Sequence, residues 1–475
     1  MLNKHLLATL LLALLTAPAL WAANNLPDLG APDLKDYDAQ TESQLGRAFA
    51  TALHTYYDLD YDPETLSYVR RIGEKITAQI GKNRYFNFFV IDNPEINAFA
   101  GPNGIIGLHT GLIANAQSED ELASVIAHEV AHVTQRHISR SYHYQSDLTI
   151  ASIASLIAAL LVGTQDPSAG IATYMGGMSL SIQQQLKNSR IHENEADHFG
   201  IEYLNQAGYD PYAMGDFFAR LSKAAQLYEG SIPEMLSTHP VTEDRLAKAD
   251  DRARQFNREN TRYNTDNTPL KLIQLRLGVT TRTTVSQFVT DNLEPDQACY
   301  LKNINALHRH TLIPEQLDRT CLKNAIQKHP NERLYRILLA QVKTALNDIS
   351  ALKDYDYLEA IYPTDLSLPY RHAQALVAFN QPEKAIQLLT QKTPHFHYQY
   401  LLYTLLAKLY ADQNSTGRSY YYEALANYNI GNLDKTTYLL KQAKPHLNRK
   451  DDAKIKIKIE RLQAQIERLQ AQESN

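Results

Sequence analysis

The feature that most constrains this chain is a His-Glu-x-x-His motif, His128-Glu129-Val130-Ala131-His132, inside a segment that favours a helix. Ser118 followed by Glu121 is typical of a capping box, and apolar residues recur at helical spacing, so we predict one amphipathic helix over 119–137. On that helix His128 and His132 lie one turn apart on one face, close enough to share a metal ion. Glu129 is then placed to take a proton from metal-activated water.

A second helix, predicted over 189–206, carries Glu193 and Asp197 on one face. A catalytic site with two histidines needs a third protein ligand and an open position for water. We expect Glu193 to be that ligand and Asp197 to accept a hydrogen bond from a ligand imidazole. Glu195 points about 200° away around the helix and remains an alternative ligand. A solvated acidic helix face is the alternative for this segment taken alone.

Two extended segments are predicted before the motif helix. Residues 86–91 are rich in aromatic and β-branched side chains, and a Gly-Pro-Asn-Gly turn at 101–104 divides 97–108 into a hairpin. An edge strand beside the metal helix would either bind a peptide by strand addition or simply pack there.

The N-terminal 23 residues predict export. Lys4 precedes the apolar run from Leu6 to Leu15, and small residues cluster near a cleavage zone at 19–23. An N-terminal membrane anchor is the alternative, although the run is shorter than the roughly 20 residues that span a bilayer. The formal net charge of −5 does not indicate the strongly basic surface that is typical of nucleic-acid-binding proteins.

Two apolar runs, 148–163 and 169–182, lie between the two ligand helices. Their position and short length predict a mobile lid over the active site or a buried helical pair, and argue against a membrane span.

The C-terminal part predicts stacked helices. Pro330, Pro363 and Pro394 lie 33 and 31 residues apart, close to the tetratricopeptide period of about 34, and such solenoids bind protein partners on a concave face. A non-repeating helical bundle is the alternative. The last 25 residues predict a long charged helix that caps the array.

The chain has two cysteines, Cys299 and Cys321. Their midpoint falls in His310-Thr311-Leu312-Ile313-Pro314, which is typical of a turn between helices. In an antiparallel helical hairpin the two would lie opposite each other, so we predict a disulfide, which an oxidising compartment permits.

The segment 97–100, the His-Glu-x-x-His motif, Glu193-x-x-Ala196-Asp197 and Thr238-His239-Pro240 with Arg245 together resemble the gluzincin metalloproteases of the Ste and Oma types. The resemblance implies a mainly α fold: a gluzincin-type zinc metalloprotease domain of helices plus a small β-sheet, followed by an α-helical tetratricopeptide solenoid. The expected division is a signal peptide at 1–23, a protease domain at 24–264 and a repeat domain at 265–475.

By this resemblance His128, His132 and Glu193 bind one zinc ion per chain and Glu129 is the general base. Asp197 and Arg245 lie behind the ligands. His239 acts as a reversible fourth ligand, although a fixed transition-state donor remains an alternative.

The resemblance also implies a Gram-negative periplasmic endopeptidase. Its substrates would be misfolded or stalled outer-membrane β-barrel proteins, and its partner the outer-membrane assembly machinery, contacted through the repeats. Two alternatives remain. One is a chaperone or assembly factor that acts mainly by binding, and the other is a zinc hydrolase of non-peptide substrates.

Overall fold

A computed structural model describes residues 38–80, 85–143, 182–227, 233–256, 263, 266–284, 290–291, 293–309 and 311–473, without the side chains of 141–143, 182–189, 227, 472 and 473. The predicted signal peptide at 1–23 lies outside these residues, and so does the predicted insert at 148–182 except for its last residue. None of the described helices has the length and apolar character needed to cross a membrane.

The described chain is mainly helical and has a small sheet, which confirms the predicted fold class. The N-terminal helices are α1 (Ala39–Tyr56), α2 (Pro63–Thr77), α3 (Thr110–Asn115), α4 (Glu119–Thr134), α5 (His137–His143), α6 (Ile182–Gln206), α7 (Ala213–Leu227), α8 (Glu234–Thr238) and α9 (Glu243–Ala253). The remaining helices are α10 (Thr268–Thr280), α11 (Pro295–Leu307), α12 (Arg319–Lys328), α13 (Arg333–Ala345), α14 (Ser350–Ile361), α15 (Ser367–Ala378), α16 (Pro382–Lys392), α17 (Tyr400–Asp412), α18 (Thr416–Asn429), α19 (Leu433–Ala443) and α20 (Ala453–Glu473).

The sheet has three strands in the order β1 (Asn87–Ile91), β3 (Ile105–His109), β2 (Ala98–Gly101). β2 and β3 form the predicted hairpin, and β1 runs parallel to β3. The turn needs left-handed backbone at Asn103 and at Gly104, where a Cβ would meet the carbonyl oxygen of Tyr85. The hairpin therefore leaves β2 at an edge of the sheet.

The motif helix α4 begins as predicted, because the Ser118 side chain accepts a hydrogen bond from the Glu121 amide. The Glu121 carboxylate reaches one residue beyond the cap and accepts from the Gln117 amide instead of the Ser118 amide. The helix ends at Thr134, three residues before the predicted 137, because the chain turns through a positive φ of 56° at Arg136.

Helix α4 packs against α6, and the absence of a side chain at Gly200 permits this. A Cβ at Gly200 would lie 3.2 Å from the backbone of His128. The glycine therefore lets the second ligand helix approach the first at the motif itself.

The hydrophobic core continues from the N-terminal helices into the C-terminal ones. A single cluster of buried apolar side chains includes Leu66 of α2, Leu272 of α10 and Leu402 of α17. In α11 and α12, Cys299 and Cys321 are joined by a disulfide. The last helix, α20, packs on α18 and α19 through Ile459 and Ile466.

Candidate metal centre

Four side chains from three parts of the fold converge on one point. His128 and His132 come from α4, Glu193 from α6, and His239 from the residue that ends α8. One ligand atom from each lies within 4.8 Å of the others, and all four residues are largely buried. Helix packing thus gathers residues separated by up to 111 positions in the chain.

The ligand atoms are spaced as the corners of a small polyhedron. His128 Nε2 lies 3.0 Å from His132 Nε2, 3.3 Å from His239 Nδ1 and 3.4 Å from Glu193 Oε2. Glu193 Oε1 is 3.4 Å from His132 Nε2, and Glu193 Oε2 is 3.1 Å from His239 Nδ1. Such a set can hold one cation at its centre.

A carboxylate and a guanidinium hold the far side of His128. Asp197 Oδ1 is 3.0 Å from His128 Nδ1, and Arg245 donates to both Asp197 oxygens at 2.8 Å. Arg245 also donates to the Pro240 carbonyl at 2.7 Å and lies 3.1 Å from Glu193. One buried arginine therefore fixes the carboxylate behind the first histidine and the loop that follows His239.

A second chain of contacts lies behind His132. Its Nδ1 is 2.8 Å from Nδ1 of His137, which is buried, and His137 Nε2 is 3.2 Å from Glu195 Oε2. Arg140 donates to the same Glu195 oxygen at 2.7 Å. Glu193 therefore lies in the ligand cluster. Glu195, the alternative ligand, lies behind His132 and contacts His137 and Arg140.

Glu129 faces the cluster without being part of it. Its side chain is fully buried, and neither carboxylate oxygen makes a hydrogen bond within the described residues. Glu129 Oε1 lies 3.5 Å from His239 Nε2. Burial raises the pKa of Glu129, while the nearby His239 and His128 oppose that rise. A carboxyl group with a raised pKa suits the uptake and return of a proton near neutral pH.

The pKa values of the other groups in the site depend on their neighbours. Burial lowers the pKa of His128, but hydrogen bonds to Asp197 and Glu193 outweigh it and raise that pKa to about 10. Burial and the adjacent His128 hold the pKa of His132 well below its ordinary value. Despite burial, His239 and His128 lower the pKa of Glu193, and Arg245 and His128 lower that of Asp197. Both carboxylates therefore stay anionic, as cation binding requires.

The structure brings together every residue that the sequence analysis placed in the site: His128, Glu129, His132, Glu193, Asp197, His239 and Arg245. The positions of His137 and Arg140 were missed, because the turn at Arg136 that swings them towards α6 has no clear sequence signal. Cys299 and Cys321 are not among the groups at the cluster.

Comparison with known proteins places these features in context. Residues 63–253 match the model of Peptidase family M48. A Vibrio cholerae relative is 42% identical over 254 residues, which are 52% of each chain. The beta-barrel assembly-enhancing protease of Escherichia coli is 35% identical over 260 residues, 54% of this chain and 53% of that protein. A mitochondrial metalloendopeptidase of Schizosaccharomyces pombe is 31% identical over 192 residues, 40% of this chain and 53% of that one. The matched segments thus span about half the length of these relatives.

Proposed function

We propose that the protein is a zinc metalloendopeptidase, because residues 63–253 match the model of Peptidase family M48. The observation that carries the proposal is the convergence of His128, His132, Glu193 and His239 beside the buried carboxylate of Glu129, which lies 3.5 Å from His239.

The donor set fits zinc. Imidazole nitrogens and one carboxylate are typical zinc ligands, and atoms about 2.0–2.1 Å from a tetrahedral zinc ion lie about 3.3 Å apart. The separations of 3.0–3.4 Å between His128 and the other three ligands, and between His132 and Glu193, agree with that geometry. When bound, zinc would polarise a peptide carbonyl and lower the pKa of water.

The protein's own groups supply the rest of the reaction. Glu129 takes the proton of the attacking water and returns it to the leaving amine. Asp197 keeps the proton of His128 on Nδ1, so that Nε2 offers its lone pair to the metal. The edge strand β2, which packs against α4, is placed to align an extended peptide by strand addition.

We further propose that the protein acts in the periplasm on misfolded or stalled outer-membrane β-barrel proteins. Three observations support this: the name of the Escherichia coli relative, the signal-peptide pattern of residues 1–23, and the disulfide, which is typical of an oxidising compartment. The C-terminal helices would contact the barrel assembly machinery as a tetratricopeptide scaffold.

Two substitutions test the catalytic proposal. Glu129→Gln should keep zinc and reduce casein cleavage by at least about 100-fold, because it removes the base without removing a ligand. His128→Ala should lose both zinc and cleavage. Zinc content by elemental analysis and digestion assays give the two readouts, with the exposed Glu467→Gln as a matched control that should behave as wild type. Unchanged cleavage by Glu129→Gln would refute the assignment.

Complementation separates the protease from a binding factor. A strain lacking the gene should not be rescued by Glu129→Gln if proteolysis is the useful activity. Full rescue would favour the chaperone, and failure of the wild type to cut any peptide would favour a non-peptide hydrolase.

A further inference from the structure

A separate cavity lies in the C-terminal part of the protein, between α17, α18 and α20. Its volume is about 460 Å³, within the usual range for ligand sites. Its walls are side chains from the three helices and the residue before α17: Gln399, Tyr403, Tyr421, Leu425, Tyr428, Asn429, Lys458, Arg461, Leu462 and Gln465. The α18 residues and the α20 residues each recur at helical spacing, so each helix presents one continuous stripe to the cavity.

Several polar groups of this lining are without partners. The phenol groups of Tyr403 and Tyr421 and the cationic groups of Lys458 and Arg461 make no hydrogen bond or ion pair within the described part of the chain. Burial raises the pKa of Tyr403 and Tyr421, so both phenols keep their protons and can donate. The lining therefore offers several unused donors in one cavity.

The charges of the lining are of one sign. Two cations face the cavity and no carboxylate does, although the whole chain has a formal net charge of −5. Cations and phenols together suit an anionic oxygen group, and the tyrosine rings offer flat apolar surfaces beside it.

We propose that this cavity binds a carboxylate-bearing segment of an extended polypeptide. Lys458 and Arg461 would pair with the carboxylate, the tyrosine hydroxyls would donate to it or to the peptide carbonyls, and the rings would pack on an adjoining side chain. This gives the C-terminal helices a peptide-binding site of their own, far from the metal ligands in sequence and independent of catalysis.

Two other anionic ligands fit less well. An acyl chain needs an apolar lining, whereas only Leu425 and Leu462 are aliphatic among the ten lining residues. A nucleic acid needs a long basic surface to track its phosphates, and two cations on one helix do not supply it.

Binding of short fluorescent peptides to the full-length chain carrying Glu129→Gln, which removes the proposed base and so protects the peptide, tests the proposal. An Asp- and Glu-containing peptide with a free C-terminus should saturate at low salt and weaken as salt rises, because the two cations are exposed. Lys458→Glu with Arg461→Glu should weaken binding at least about tenfold. Tyr428→Phe, which removes only a hydroxyl, should weaken it about threefold.

The matched control is Lys454→Glu with Lys456→Glu, which makes the same change of net charge on exposed residues of α20 that do not line the cavity. It should change affinity less than about twofold.

Loss of binding only when the peptide C-terminus is amidated shows that the terminal carboxylate binds. Loss only when Asp and Glu are replaced by Asn and Gln shows that a side-chain carboxylate binds; both results support the proposal. Equal binding of a peptide without carboxylates, equal loss in the control, or binding of anionic phospholipid vesicles in place of peptide would overturn it. Failure here with intact casein cleavage leaves the protease proposal standing.

Discussion

The two histidines of the motif are held by different chemistry. His128 meets the carboxylate of Asp197, whereas His132 meets the imidazole of His137. If His132 offers Nε2 to the metal, its proton is on Nδ1 and is donated to Nδ1 of His137. His137 must then carry its own proton on Nε2 and donate it to Glu195. The carboxylate of Glu195 thereby selects the tautomer of His132 through its contact with His137.

This arrangement predicts a selective loss of zinc. His137→Phe fills the space but removes the acceptor, so zinc affinity should fall about 10- to 100-fold. His137→Asn keeps an acceptor near the position of Nδ1 and should lose much less. Competition with a chromogenic zinc chelator measures the affinity directly. The exposed His198→Phe, on the same helix as Glu195, is the control. Equal affinities for His137→Phe and wild type would show that His132 needs no such support.

The residues of the site divide into those that sequence could place and those that it could not. His128, Glu129 and His132 follow from helical spacing, and Glu193 follows from the same rule on the second helix. His137 does not, because an uninterrupted helix would put it about 140° away from His132. The chain turns back at Arg136, whose backbone is left-handed. An arginine in the sequence does not indicate that conformation.

At the scale of elements, the short helix α8 decides where His239 sits. Met235 is fully buried, and its amide donates to the Ile96 carbonyl at 3.3 Å, just before the edge strand β2. His239 Nδ1 lies among the ligand atoms, while its Nε2 lies 3.5 Å from Glu129. We propose that this position closes the site and that withdrawal of the α8 segment opens it.

The proposal predicts that His239→Ala raises basal casein cleavage or self-cleavage, by about tenfold if the closed form predominates, with zinc retained. The reason is that a fourth protein ligand excludes the water that a catalytic zinc site needs. Cleavage and zinc content are measured together, with the exposed His395→Ala as the control. A clean loss of activity with zinc still bound would instead identify His239 as a transition-state donor.

Local patterns predicted elements better than their pairing. The hairpin follows from its Gly-Pro-Asn-Gly turn, and the start of α4 follows from Ser118. The parallel pairing of β1 with β3 has no such signal, since it depends on the chain returning to the sheet through β2. The shared core of α2, α10 and α17 is equally non-local, because apolar stripes do not specify their partners.

At the scale of the whole molecule, a buried group of charges joins the two parts of the chain. Asp62 and Glu64, at the start of α2, accept hydrogen bonds from Arg276 of α10 at 2.6–2.8 Å. Arg371 of α15 binds Glu64 at 2.7 and 2.8 Å and Asp62 at 3.3 Å. The partners are more than 200 positions apart and lie on either side of the predicted domain boundary at 264, so no local sequence pattern indicates this contact.

This group predicts that the two parts stabilise each other. Arg371→Ala leaves two buried carboxylates with one guanidinium and should reduce the free energy of unfolding by about 3–5 kcal/mol. Urea denaturation followed by circular dichroism measures it. Arg319→Ala, which breaks the exposed pair with Asp348, is the control and should cost at most about 1 kcal/mol.

A second variant separates charge from packing. Glu64→Gln combined with Arg371→Met removes one charge of each sign and keeps most of the volume, so it should be less destabilised than Arg371→Ala. If Arg371→Ala unfolds at the same urea concentration as wild type, the two parts are held by their apolar core alone. If instead it splits one transition into two, the charges couple the protease part to the helical part, and their loss uncovers two units that fold separately.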